Sequence, residues 1–158
     1  MVRSCALGPC GAAMSSAPPA GPTGMTTQTT GSTLTELAIT MFSVADQDAA
    51  RDFYTGVLGF EVRADSRFGE HGEMRWLEVA PPGSRARLAL NPPMGGTPGG
   101  GGIGVECTDV RAEHARLVAR GDVDVDAEPM QAPGAPLMFM LRDPDGNVVV
   151  VVEARDAA

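Results

Sequence analysis

From Leu37 onward, apolar and polar positions alternate in short runs, and a longer helical period interrupts them twice. Leu37–Val44 alternates as a half-buried strand does, with Thr40, Phe42 and Val44 on one side and Ile39, Met41 and Ser43 on the other. Asp46 stands where a helix N-cap belongs. Phe53, Tyr54, Val57 and Leu58 then recur at helical spacing, and Gly59 supplies a stop. Strands are predicted next at Phe60–Ala64, Met74–Val79 and Ala86–Leu90. The same order returns: a strand at Ile103–Cys107, an N-cap at Asp109, a helix through Leu117 and Val118 stopped by Gly121, then strands at Val123–Ala127, Leu137–Leu141 and Val148–Glu153. Both passes read βαβββ, and Val44-Ala-Asp46 answers Cys107-Thr-Asp109 as Leu58-Gly59 answers Arg120-Gly121. We read this as an internal structural repeat.

The pattern also assigns faces. The more uniformly apolar side of each strand belongs under the helices. That places Leu77, Val79, Leu88, Leu90, Ile103, Val105 and Cys107 inward, and leaves Met74, Trp76, Glu78, Arg87, Gly102, Gly104 and Glu106 on the opposite face. Alternation decides nothing for the all-valine run Val148–Val152, nor for Met138 and Met140 against Leu137, Phe139 and Leu141. Asp143-Pro-Asp-Gly146 is a turn, with proline presetting its second position.

Composition changes the picture at the N-terminus. Residues 1–33 carry Arg3 as their only charge among Gly, Pro, Ala, Ser and Thr, and a segment that buries so little apolar surface is expected to be disordered. The folded unit is expected over 34–155, as module one over 34–91, a Pro/Gly-rich linker over 92–102 and module two over 103–155. In a chain of 158 residues this is room for one domain. The net charge of −8, with all 12 basic residues arginine, argues against nucleic acid and anionic lipid as partners. No run of apolar residues suits a membrane span, and the three cysteines, Cys5, Cys10 and Cys107, do not form the even framework of a secreted protein. The expected compartment is the cytoplasm.

Two βαβββ modules, the run Asp46-Gln-Asp-Ala-Ala-Arg-Asp-Phe-Tyr54, then Val57-Leu-Gly-Phe60, and Asp143-Pro-Asp-Gly-Asn147 before the last strand resemble the vicinal oxygen chelate superfamily, which includes glyoxalase I, bleomycin-resistance proteins and extradiol dioxygenases. The resemblance implies an α+β fold in which the two modules form a cup-shaped mixed β-sheet with helices outside, and it implies a homodimer. Metal-dependent members carry one ligand on each of four strands. Those positions align here with Ile39, Arg87, Gly102 and Val150, none of which suits a divalent cation. The expectation is therefore no metal and no cofactor.

Two classes of function remain open. One is a small-molecule binding protein of the drug-sequestering kind, with Met41, Met74, Trp76, Met138 and Met140 as apolar and aromatic contacts and Ser43, Arg87 and Glu106 as polar groups. The other is a lyase, isomerase or dioxygenase whose metal ligands are relocated among Glu78, Glu106, His71 and His114. The first is favoured, with no catalytic residue assigned. Arg87 pairs either with a ligand carboxylate or with Glu78 or Glu106. His71, in a Gly/Glu loop, and His114, beside Glu113 and Arg116, are expected to be solvated, and Cys107 to be inert packing.

Overall fold

The computed structural model describes residues 33–154. The expected disorder of residues 1–33 therefore falls, but for its last residue, outside the described residues. The first module runs β1 (Ile39–Ser43), α1 (Gln47–Gly56), β2 (Glu61–Phe68), β3 (Met74–Ala80) and β4 (Arg87–Asn91). The second runs β5 (Gly102–Cys107), α2 (Val110–Arg120), β6 (Asp124–Val125), β7 (Met138–Arg142) and β8 (Val148–Glu153). Each module makes its own mixed sheet, ordered β1-β4-β3-β2 and β5-β8-β7-β6. In both, the first and last strands pair in parallel and the remaining neighbours are antiparallel. The repeat read from the sequence is thus a repeat of topology, and the α+β assignment to two βαβββ modules stands.

Local chemistry sets the helix limits. Asp46, with extended backbone, accepts hydrogen bonds from the amides of Asp48 and Ala49, and Asp109 accepts from Ala112. These bonds satisfy amides that have no carbonyl partner in a first helical turn. Gly121 closes α2 in the left-handed conformation at φ 73°. The regular turns of α1 end at Gly56, before the predicted Leu58. The chain then closes through Gly59 at φ 71°, with the Phe60 amide donating to the Tyr54 carbonyl. Gly59 is still the stop, because only there does the backbone need a positive φ.

Strand limits differ most where polar residues carry pairing. β2 continues to Phe68 instead of ending at Ala64, held against β3 although both of its faces are largely exposed. β6 shrinks to two residues. Beyond it the Asp126 carboxylate accepts from the Met140 amide at 3.0 Å, taking the place of a ladder bond.

The helix-side faces of both sheets pool into one core. Phe42, Val44, Leu77, Val79, Leu88 and Leu90 come from the first sheet, Phe139, Leu141, Val149 and Val151 from the second, and Ala50, Tyr54, Val110 and Leu117 from the helices. Each of the larger side chains contributes about 1.5–3 kcal/mol by leaving water. Inward Phe139 and Leu141 settle the ambiguous alternation: Met138 and Met140 lie on the opposite face, with Val148, Val150 and Val152. His114 corrects the expectation of a solvated residue. It is 9% exposed, its Nε2 lies 2.7 Å from the Asp126 carbonyl, and its ring meets Phe139 edge to face.

A buried polar knot joins the modules. The Tyr54 hydroxyl donates to Asp143 Oδ2 at 3.1 Å, Asn147 Nδ2 to the same oxygen at 2.9 Å, and the Asp145 and Asn147 amides to Oδ1. Burial, with Asp143 alongside, pushes ionisation of the Tyr54 phenol far above its ordinary range. Asn147 also donates to the Ser43 carbonyl and accepts from the Gly101 amide. At Gly101 a Cβ would fall 2.5 Å from the Phe42 ring, so this approach requires glycine.

Candidate functional site

The residues proposed from the sequence lie on the sheet faces turned away from the helices. On the first sheet, β1 and β4 pair Ile39 with Arg87, Met41 with Ala89 and Ser43 with Asn91, and β3 brings Glu78 opposite Ala89. Three side chains form a connected line there. Trp76 Nε1 donates to Glu78 Oε1 at 2.7 Å, and Arg87 Nη1 approaches Glu78 Oε2 at 3.3 Å. Glu78 is 6% exposed, so its charge is held by these two partners, whereas the Arg87 side chain is 43% exposed. Of the two readings of Arg87 left open by the sequence, pairing with Glu78 is present. Met41 and Met74 lie on the same face at 59% and 47% exposure, far more open than core methionines.

On the second sheet, Met140 and Gly104 flank Val150, and Met138 and Glu106 flank Val152. Because both sheets turn their helix sides to one shared core, the two opposite faces look away from it. Met138 and Met140 therefore do not meet Met41, Met74 and Trp76 within the chain. Arg87 and Glu106 do share a cleft of about 560 Å³ where the modules adjoin. Its apolar wall includes Phe60, Val79, Leu88, Ile103 and Val105. Met41, Ser43, Met74, Trp76, Met138 and Met140 do not line it. The sequence does not single out Asn91, which falls at the end of module one, just past the predicted strand Ala86–Leu90. It shares its face of β4 with Arg87 and Ala89, and the alternation counted on from Leu88 and Leu90 carries that signal.

The four positions that the resemblance marks for metal ligands are Ile39, Arg87, Gly102 and Val150. Ile39 and Arg87 are register partners, whereas Gly102 pairs with Val148 and Val150 pairs with Gly104. Either valine lacks a donor atom, Gly102 has no side chain, and a guanidinium repels cations. This donor set does not fit a divalent metal. The relocated set is scattered: His71 is in an exposed loop, His114 is bound to the Asp126 carbonyl, and Glu78 is engaged by Trp76 and Arg87. Among the described residues no group of three or more His, Cys, Asp or Glu is placed to hold a metal ion. Cys107 packs against the core, and burial raises the pKa of its thiol. No helix among the described residues is long and apolar enough to cross a membrane.

This architecture matches the family described as Glyoxalase/Bleomycin resistance protein/Dioxygenase superfamily over residues 36–151, and the chain belongs to that family. TnmS3, an antibiotic binding protein from Streptomyces sp. CB03234, is 35% identical in sequence. The match covers 79% of this chain and all of that one, with a TM-score of 0.68. A glyoxalase/bleomycin resistance protein from the same Streptomyces strain is 39% identical, over 74% of this chain and 99% of its own, at a TM-score of 0.62. YetH of Bacillus subtilis (strain 168) is 34% identical over 113 residues, which is 70% of this chain and 91% of YetH.

Proposed function

We propose that the chain is a small-molecule binding protein of the antibiotic-sequestering kind, working as a homodimer in the cytoplasm without a metal. The observation that carries this reading is Arg87. At a position where metal-dependent relatives place a ligand, the chain has a cation, and that cation is ion-paired to a nearly buried carboxylate. Such a pair opposes metal binding and leaves a polar anchor beside Trp76 on an otherwise apolar face. The likeness to TnmS3 supports a ligand of the antibiotic type.

The open sheet faces support the dimer. Met41 and Met74 on one sheet and Met138 and Met140 on the other are exposed or half-buried in the single chain, and a second copy would close the two faces into cups. The remaining proposed residues, Ser43, Trp76, Arg87 and Glu106, would supply the aromatic and polar contacts.

The test is a thermal-shift screen of the full chain against planar natural-product antibiotics, run beside metal analysis of protein purified without chelator. Stabilisation by at least one antibiotic, with substoichiometric metal, is the expected outcome. Stoichiometric nickel, zinc, manganese or iron retained through dialysis would contradict the reading.

A further inference from the structure

We infer that β2 is a self-complementary edge through which two copies of the chain join their first sheets. The strands run antiparallel about a two-fold axis at Ser66, with Asp65 of each copy facing Arg67 of the other. This contact is separate from the face closure proposed above, and being short it adds to that assembly only when the protein is concentrated.

β2 ends the order β1-β4-β3-β2, so one side of it pairs with β3 and the other has no neighbouring strand. Every residue of Glu61–Phe68 except Ala64 is exposed, and no backbone hydrogen bond reaches that outer side among the described residues. A row of open N–H and C=O groups along an edge is a template for another strand. A bulge between Val62 and Ala64 interrupts the ladder, which leaves Ala64–Phe68 as the regular stretch.

Charge selects what that stretch accepts. Asp65 and Arg67 lie opposite Leu77 and Arg75 of β3, on the helix side, while Ala64, Ser66 and Phe68 lie opposite Glu78, Trp76 and Met74. Arg67 thus has a like charge as its cross-strand neighbour and forms no salt bridge among the described residues, so its own sheet leaves it uncompensated. Asp65 is bonded to Arg75, but Arg75 also serves Asp48, and the three groups together keep one negative charge to spare. In an antiparallel pair opposite residues share a face, which puts the axis on a residue and not between two. With the axis on Ser66, Asp65 and Arg67 of the two copies face each other on both sides of it, and Phe68 lies beside the small Ala64. Moved to Asp65 or to Arg67, the axis sets two like charges against each other. The Ser66 register therefore joins opposite charges where its neighbours do not.

Cysteine cross-linking of the full chain tests the register, with Cys5→Ser and Cys10→Ser as background and Cys107 kept because it packs against the core. Opposite Cα atoms in such a pair lie about 4.5–5.5 Å apart, within disulfide reach. Under mild oxidation Ser66→Cys is expected to form a covalent dimer with itself. Ala64→Cys and Phe68→Cys are expected to link to each other in a mixture, and neither to itself. Adding Arg67→Glu to Ser66→Cys places a carboxylate opposite Arg75, which keeps the fold, but sets it against Asp65 of the second copy. Cross-linking is then expected to slow about tenfold. Met41→Glu, on the sheet face, is expected to leave the rate unchanged. No covalent dimer from Ser66→Cys overturns the inference, as does self-linking of Ala64→Cys or a rate indifferent to Arg67→Glu. A rate that falls with Met41→Glu overturns it too, since the edge contact would then depend on face closure.

Discussion

Tyr54 and Asp143 lie 89 positions apart, yet they share a hydrogen bond in the interior, where Asp143 is otherwise satisfied by Asn147 and the turn amides. Tyr54→Phe keeps the ring packed against Phe53 and Phe60 and removes only the hydroxyl. It is expected to lower the free energy of unfolding by about 1–2 kcal/mol, read from urea denaturation. The Asp143 turn is legible in the sequence from its proline and glycine, but its partner is not, because no local pattern encodes a contact across two modules. His114 is a different case. Val110, His114 and Leu117 fall on one stripe of α2 and are all buried, so helical spacing carried a signal that the charged neighbours Glu113 and Arg116 masked.

At the scale of elements, both helix starts and the second helix stop were legible, since an N-cap carboxylate and a left-handed glycine are local devices. Asp109→Ala removes the acceptor for the Ala112 amide and should cost about 1 kcal/mol in the same denaturation assay. Less legible were the ends of β2 and β6, where ion pairs and a side-chain acceptor decide the pairing. Arg75 ties α1 to β2 and β3 by bonding Asp48 and Asp65 at once, and its hydrogen bonds hold both carboxyls below their ordinary value near 3.8. Groups with lowered values add stability that is complete above that ordinary value and is lost as pH falls through their lower native values. The midpoint of urea unfolding should therefore fall more steeply from about pH 4 to pH 2 for the native chain than for Arg75→Ala. Equal slopes would mean that Arg75 contributes nothing to acid stability. The face of Met138 and Met140 was undecided because alternating methionine and leucine or phenylalanine presents two apolar sides, and only the core-facing Phe139 and Leu141 resolve it.

The whole molecule combines one core with two outward sheet faces, and the proposed binding residues are divided between them. A chain so built should sediment as a dimer, and Met41→Glu, which places a charge on one open face, should shift it toward monomer without unfolding it. A monomer at every concentration would remove the dimer while leaving each sheet face available. Sequestration without metal or turnover is the proposed function, and native mass spectrometry of the full chain incubated with a planar aromatic antibiotic puts it to the test. The expected spectrum shows protein carrying the antibiotic at unchanged ligand mass, with no bound metal. A ligand whose mass has changed, or binding that appears only with a stoichiometric divalent ion, would contradict it.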